Sequence, residues 1–253
     1  MANSGDRQPI LWTDLRRFTQ ARVGLGRAGN GLPTAAHLDF QAAHAAARDA
    51  VHTALDVATL QAEIGAAGLP SIAVRSAVSD RRSYLLRPDL GRRLQESDRA
   101  KLPMTPGAML FVVCDGLSAI AVQRHAPALL TRVIPVLQQA GHAVVPIVVA
   151  EHGRVALGDD IGEAMGAEAV AVLIGERPGL TAADSLGVYL TWQPRRGRTD
   201  AERNCISNIC PAGLPADAAA DKLLWLIAAM RSARLTGVEL KDEQPVRGNA
   251  IGP

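Results

Sequence analysis

The sequence predicts an α/β protein with a Rossmann-like, doubly wound and mostly parallel sheet, preceded by a smaller helical N-terminal domain. Four short apolar runs rich in β-branched residues follow one another after Gly107, as expected for parallel strands buried on both faces. Segments with helical spacing separate several of these runs, which favours crossover connections. Before Pro103, alanine-rich segments with helical spacing dominate. We therefore expect a helical region over residues 1–103 and an α/β domain over residues 104–253.

The N-terminal region is predicted to contain helices and no strand. Leu15–Val23 and Ala35–Leu55 are both interpreted as helical. Between them, GLGRAG carries the glycine spacing of a dinucleotide fingerprint, at Gly24, Gly26 and Gly29. Because no apolar strand leads into these glycines, a tight turn between helices is favoured over a nucleotide site.

The four predicted strands come next, with helices between and after them. The strands are Met109–Cys114, Ala143–Ala150, Ala169–Gly175 and Gly187–Gln193. The helices are Leu117–Ala140, interrupted at Pro127 and Pro135, then Asp159–Met165 and Ala216–Leu235. The polar tail from Lys241 is expected to fray.

Two loops stand out as ligand-binding candidates. The polar stretch Asp200–Gly213 lies between an apolar run ending at Trp192 and the helix that starts near Ala216, and Leu173–Leu180 ends another apolar run. Open α/β sheets bind ligands outside the carboxyl ends of their strands. The two loops are therefore expected to line one crevice.

Composition excludes several classes of function. A formal charge of +2 does not indicate nucleic acid, and no apolar run is long enough to span a bilayer. Arginines between Arg75 and Lys101 alternate with acidic residues, which leaves open a solvated helical face or a docking surface. The first residues lack a long apolar core, so we expect no secretion signal and a reduced, cytosolic setting.

No catalytic or metal-binding pattern is present. The three cysteines, Cys114, Cys205 and Cys210, fall short of a zinc signature and are interpreted as structural thiols. The six histidines lack metalloprotease spacing, and there is no nucleophile elbow, P-loop or calcium loop. We predict neither a catalytic residue nor a metal site in this chain.

Eight blocks of sequence resemble the small subunit of ethanolamine ammonia-lyase, in the same order. They are RFTQARVGLGRAGNGLPT, DFQAAHAAARDAVH, YLLRPDLGRRL, DGLSAIAVQRHA, GRVALGDDIGE, VLIGERPGL, SLGVYLTWQPRRGRTDAERNCISNI and LTGVELKDE. They extend from about Asp14 to Asp242.

The resemblance implies an adenosylcobalamin-dependent enzyme that turns ethanolamine into acetaldehyde and ammonia by radical chemistry. It places the substrate on a larger partner subunit, while the small subunit helps to enclose the corrinoid. This division agrees with the missing catalytic groups, because in cofactor enzymes the protein chiefly binds, orients and excludes side reactions. It leaves encapsulation in a bacterial microcompartment open. Enteric members begin with a longer segment linked to such packaging, whereas the stretch before Asp14 is short here.

The resemblance assigns adenosylcobalamin contacts to Val155 in GRVALGD, Glu176 in LIGERPG and Cys205 in RNCISN. We expect Glu176 to accept hydrogen bonds from corrin carboxamides, Val155 to give apolar contact, and Cys205 to pack against the corrinoid without ligating cobalt. The alternatives are an ion pair of Glu176 with Arg177 or Arg203, ordinary loop packing for Val155, and a small buried hydrophobe at Cys205.

One departure from the family and two competing interpretations remain. Family members usually carry arginine where this chain has Cys210, so a family contact at that position is in doubt. The chain is alternatively a structural or regulatory subunit that binds the large subunit without touching the cofactor. A nucleotide-binding oxidoreductase is the weaker alternative, because DGLSA after Cys114 lacks the glycine fingerprint.

Overall fold

A six-stranded open sheet forms the centre of the protein, in a computed structural model that describes residues 14–244. The strands are β1 (Ser71–Arg75), β2 (Met109–Cys114), β3 (Ile147–Glu151), β4 (Ala169–Gly175), β5 (Leu186–Trp192) and β6 (Asn204–Ile209). Their order across the sheet is β1-β3-β2-β4-β5-β6. The pairs among β1, β3, β2 and β4 are parallel, whereas β4–β5 and β5–β6 are antiparallel. The predicted α/β class is confirmed, with a mixed sheet.

Helices cover both faces of this sheet. They are α1 (Thr34–His52), α2 (Val57–Ala66), α3 (Arg81–Leu86), α4 (Glu96–Arg99), α5 (Ala119–Gln139), α6 (Leu157–Met165) and α7 (Ala216–Ala233). One core cluster packs α2, α5 and α7 on one face of the sheet. The other packs α6 on the opposite face. Burial on both faces explains why β2 and β4 are apolar throughout and have the predicted bounds.

The other predicted elements of the second half are found with small differences. Strand β3 begins at Ile147, later than predicted, because Pro146 has no N–H to donate to a ladder. Helix α5 continues through Pro127 and Pro135, so the predicted interruptions were wrong. Its apolar side is buried against the sheet, and this burial offsets the cost of the prolines. Helix α7 has almost the predicted bounds and ends where Arg234 adopts a left-handed conformation.

The N-terminal region differs from the prediction in two ways. Ser71–Arg75 is a strand, β1, which pairs with β3 at the edge of the sheet, so the expectation of no strand before Pro103 was wrong. Three half-buried residues followed by the buried Val74 and the exposed Arg75 give too little pattern to be recognised. Leu15–Val23 is not a regular helix beyond its first residue. Gly24, Gly26 and Gly29 all have positive φ, as a glycine turn requires. The division at residue 103 stays a prediction.

The direction of the last two strands also differs from the prediction. Gly187–Gln193 was interpreted as a buried parallel strand, but β5 is antiparallel to β4. The connection over residues 176–185 contains no helix, and a parallel crossover needs a dozen or more residues. The stretch Asp200–Gly213 was interpreted as a polar loop, but it contains the edge strand β6. Several β6 residues face solvent, which explains their polarity.

Most basic residues between Arg75 and Lys101 have internal acidic partners. Asp98 pairs with both Arg75 and Lys101, at 3.9 and 2.7 Å. Asp160 is buried and accepts from Arg99 and from Arg196, both at 2.8 Å. The Arg99–Asp160 pair fastens the N-terminal segment to α6. Together these pairs leave less unpaired charge for a docking surface than the sequence alone indicated.

Candidate functional site

The loops after β2 and β4 meet beyond the carboxyl ends of these two parallel strands. Leu117 donates its N–H to the Gly175 carbonyl over 2.9 Å. A Cβ on Gly175 would lie 2.0 Å from the Ser118 carbonyl oxygen, and one on Gly116 (φ 55°) would lie 2.2 Å from the Gly175 carbonyl oxygen. Only glycine allows this approach. The contact fixes the point from which the chain continues into Glu176.

Val155 is held by a tightly bonded loop between β3 and α6. The Gly153 N–H donates to Asp115 over 3.1 Å, and the Tyr84 hydroxyl donates to the Gly153 carbonyl over 3.0 Å. The Arg154 N–H donates to the Gly91 carbonyl over 2.8 Å. With its neighbours fixed, Val155 lies half-buried at the start of α6. It packs against the apolar cluster on the α6 face of the sheet.

Glu176 has a half-buried carboxylate with free acceptor capacity. Its backbone N–H donates to the Ser185 carbonyl over 3.0 Å, and its Oε2 accepts from the Asn208 N–H over 3.1 Å. Asn208 has a φ of 59°, a left-handed conformation that asparagine tolerates. Within residues 14–244 Glu176 forms no ion pair, and Arg203 instead pairs with Asp159 at 2.6 Å. An ion pair with Arg177 or Arg203, the alternative considered from the sequence, is therefore absent from this part of the chain.

Cys205 lies on β6 and not after the carboxyl end of β5. Because β5 runs antiparallel to β4, the carboxyl end of β5 at Trp192 pairs with Ala169, the first residue of β4. It therefore lies at the amino ends of the parallel strands. The sequence-based placement of Cys205 beside a strand end was therefore wrong. In the actual register, Cys205 pairs with Tyr189. Although Cys205 is exposed as a residue, partial desolvation of its side chain raises the pKa of the thiol, which keeps it protonated near neutral pH.

Tyr189 connects the three candidate residues, and sequence reasoning missed it. Its side chain packs on the α6 face with Val155, and Cys205 lies directly opposite it in the register of β5 and β6. Burial raises the pKa of Tyr189, so the phenol remains a hydrogen-bond donor. A Cβ on Gly187 would lie 3.0 Å from Glu176 Oε1 and 3.4 Å from Tyr189 Cε2. Glycine at this position thus leaves room for both side chains.

A cavity of about 260 Å³ brings these side chains together. Val155, Glu176 and Tyr189 line it directly, along with Tyr84 and Arg154. Cys205 does not line it but adjoins it through Tyr189. Complete small-molecule sites usually measure roughly 300–1,000 Å³ and enclose most of their ligand. This cavity is smaller and open, so the residues that line it enclose only part of a ligand of ordinary size.

A buried polar network supports the floor of the cavity. Arg81 Nη1 donates to Asp115 Oδ2 over 3.1 Å and to the Gly116 carbonyl over 2.8 Å. Burial raises the pKa of Asp115 to about 6, although the charge of Arg81 opposes this. The guanidiniums of Arg81 and Arg154 lie 4.8 and 4.2 Å from the centre of the Tyr84 ring, both within cation–π range. This network links α3 to the loops that carry Val155.

Residues 14–244 show no grouping of three His, Cys, Asp or Glu side chains placed to hold a metal ion. Over the same residues, no helix is both long and apolar enough to cross a membrane. The three cysteines are unpaired, with Cys114 and Cys210 buried and Cys205 exposed. Cys210 contacts Asn208 through its sulfur at 3.7 Å. The histidines of α1, His37, His44 and His52, are exposed.

Comparison with known proteins gives a consistent result. The family model of the ethanolamine ammonia-lyase light chain matches residues 10–241. An ethanolamine ammonia-lyase small subunit from Azotobacter vinelandii is 52% identical, over 98% of this chain and 96% of its own length. Those of Rhodopseudomonas palustris and Bradyrhizobium diazoefficiens are 55% and 54% identical, over 91% and 95% of this chain and 89% and 93% of their own lengths.

Proposed function

Because the chain belongs to the ethanolamine ammonia-lyase light-chain family, we propose that it is the small subunit of an adenosylcobalamin-dependent ethanolamine ammonia-lyase. In this role it acts only with a large subunit, which holds the substrate. Together the two subunits turn ethanolamine into acetaldehyde and ammonia. The part that we assign to this chain is to help enclose the corrinoid.

One observation carries the proposal: Val155 and Glu176 line the same cavity, and Tyr189 joins Cys205 to it. These residues fit a corrinoid chemically. The corrin rim carries carboxamides, whose N–H groups need acceptors, and Glu176 uses only Oε2 for a bond within residues 14–244. Hydrogen bonds to an ionised carboxylate are about twice as strong as neutral ones. Val155 and the Tyr189 ring add apolar surface beside that acceptor.

Adenosylcobalamin, when bound, supplies radical chemistry by homolysis of its cobalt–carbon bond. The residues of this chain bind and orient it. Glu176 accepts hydrogen bonds from the corrin carboxamides at its free oxygen, Oε1. Cys205 and Tyr189 exclude water from one side of the corrinoid. The Cys205 thiol, which stays protonated because its pKa is raised, suits packing better than metal ligation, since only a thiolate ligates metals well.

The competing interpretation is a structural or regulatory subunit that touches only the large subunit. A sizing column run with adenosylcobalamin separates the two. We expect the two-subunit complex to retain the corrinoid, the large subunit alone to lose it, and this chain alone to show no turnover. Equal retention by the large subunit alone would favour the structural subunit.

The finer expectations from the sequence belong to the same proposal. Three parallel strands, β2, β3 and β4, flanked by helices on both faces favour a Rossmann-like description of residues 104–253, with residues 1–103 as the region that docks on the large subunit. The expected assembly is a cytoplasmic hetero-oligomer. Packaging in a microcompartment has no support in residues 14–244.

A further inference from the structure

A second, larger groove adjoins the proposed corrinoid site. It encloses about 560 Å³ and shares Arg154 and Val155 with the smaller cavity. Four arginines line it, Arg92, Arg154, Arg198 and Arg203, with Asp200 as the one acidic lining residue. Nothing in the proposed contacts of Val155, Glu176 and Cys205 uses this charge.

Two of the four arginines are already neutralised. Arg203 is buried and makes a bidentate pair with Asp159, at 2.7 and 2.6 Å. Arg198 pairs with Glu202 and donates to the Gln193 carbonyl over 3.1 Å. These two side chains form a rigid wall of the groove. They contribute little uncompensated charge.

Arg92 and Arg154 carry the charge that remains. The exposed Arg92 side chain has no hydrogen bond or ion pair to residues 14–244. Arg154 stacks on Tyr84 and donates one bond to its carbonyl over 3.3 Å, but it forms no ion pair with the described residues and its buried Nε has no acceptor among them. The Arg154 N–H bonds to the carbonyl of Gly91 over 2.8 Å, which brings the backbones of Arg92 and Arg154 close together.

Two guanidiniums that line one groove without counter-ions among the described residues suit a phosphate group. The planar guanidinium donates in pairs to phosphate oxygens, and it stays charged at every physiological pH. The amino end of α6, which has no side-chain cap, opens on the same groove and adds a favourable dipole. Within a cobalamin, the phosphodiester of the nucleotide tail is the anionic group, since the rim carboxamides are neutral.

We propose that Arg92 and Arg154 bind the phosphodiester of the cofactor's nucleotide tail, an inference that rests on the proposed function. Val155 lines both cavities. A corrinoid that contacts Val155 and Glu176 therefore has its tail within reach of the arginine-lined groove. The corrin ring and the phosphodiester are then held by separate parts of this chain.

The test compares two corrinoids on the two-subunit complex. Adenosylcobinamide lacks both the phosphodiester and the base, whereas adenosylcobalamin has them. Arg92→Gln should raise the Kd for adenosylcobalamin about tenfold and leave the Kd for adenosylcobinamide within about twofold. The tenfold ratio should shrink at high salt, because exposed charges are screened. Arg154→Gln should behave alike, but its stacking on Tyr84 makes a melting curve necessary.

Arg93→Gln is the matched control, because Arg93 is exposed and lies next to Arg92 in sequence but outside the groove; it should change neither Kd. Equal weakening of both corrinoids by Arg92→Gln would overturn the phosphodiester assignment. So would saturable binding of inorganic phosphate that Arg92→Gln abolishes while adenosylcobalamin affinity stays unchanged, since the groove would then be a site for free anions.

The outcome for Glu176 distinguishes this inference from the proposed function. If Glu176→Gln weakens adenosylcobalamin binding while the arginine variants do not, the phosphodiester assignment fails and the proposed function stands. If neither the Glu176 nor the arginine variants change the affinity for either corrinoid, both fail.

Discussion

Glu176→Gln is the substitution that probes the proposed cofactor contact most directly. In the structure Oε2 accepts from the Asn208 N–H over 3.1 Å, and Oε1 lies on the Gly187 side. A glutamine keeps the first bond only by placing its carbonyl oxygen at Oε2. Its NH₂ group then takes the position of Oε1 and presents donors to the donor carboxamides of the corrin rim. The substitution thus removes the charged acceptor, and a carboxamide could bond to the NH₂ group only by turning its carbonyl oxygen toward it.

The size of the effect follows from this geometry. Loss of a hydrogen bond to a charged acceptor costs roughly 1.5–3 kcal/mol, which is about one to two decades in affinity. The rim of the site is open, so we expect the lower half, about ten- to thirtyfold in Kd. The turnover rate at saturating adenosylcobalamin should change less, because the proposed function places the reacting groups on the large subunit.

The assay is a titration of the two-subunit complex with adenosylcobalamin, followed by absorbance and by rate. Glu63→Gln is the control, because Glu63 is exposed on α2 and far from Glu176 in sequence. The isolated Glu176→Gln chain should melt within about 2 °C of the unchanged chain, since one exposed-edge hydrogen bond contributes little. Unchanged affinity together with a clear loss of thermal stability would show that Glu176 is a structural residue and not a cofactor contact.

Three further substitutions test other parts of the site. Gly187→Ala places a Cβ 3.0 Å from Glu176 Oε1 and 3.4 Å from Tyr189 Cε2. We expect the Kd for adenosylcobalamin to rise about three- to tenfold, with little change in melting temperature. An unchanged Kd would show that the position of the Glu176 carboxylate does not matter for binding. Asp115 has its pKa raised to about 6 in the native state, so between about pH 4 and 6 the native state binds more protons than the unfolded state, and this group's contribution to the free energy of unfolding falls as pH rises. Asp115→Asn removes this pH dependence. In urea titrations from about pH 4 to 6, the unfolding free energy of the variant minus that of the unchanged chain should therefore rise by up to about 3 kcal/mol. A difference that stays constant with pH would mean that Asp115 has an ordinary pKa. Arg203→Met leaves Asp159 buried without its partner and should cost about 3–5 kcal/mol of unfolding free energy, partly restored by adding Asp159→Leu; a loss below about 1 kcal/mol would contradict a buried pair.

The sequence predicted the elements whose residues are uniformly apolar or strongly periodic. Strands β2 and β4 are covered on both faces, so their apolar runs coincide with their bounds. The edge strands β1 and β6 were missed, because an edge strand with exposed positions has no such run. The direction of β5 was also missed, although the short connection after Gly175 carried a signal against a parallel crossover.

The candidate site was predicted in part. The resemblance supplied Val155 and Glu176, and the structure places both on one cavity. Tyr189 lay in a correctly predicted strand, but its role depends on the register with Cys205, which local patterns do not encode. The pairing of Arg203 with Asp159 joins residues far apart in sequence. Because local sequence patterns do not show which distant residues pair, the sequence left an ion pair between Glu176 and Arg203 open.

A structure of this chain with its large subunit and adenosylcobalamin tests the central claim most directly. We expect the corrinoid to lie at the interface, with a carboxamide of its rim within about 3.2 Å of Glu176 and with Val155 and Cys205 in van der Waals contact. We expect the nucleotide phosphodiester to lie beside Arg92 and Arg154. A corrinoid enclosed entirely by the large subunit, with the Val155–Glu176 cavity facing solvent or another protein surface, would show that this chain does not bind the cofactor as proposed.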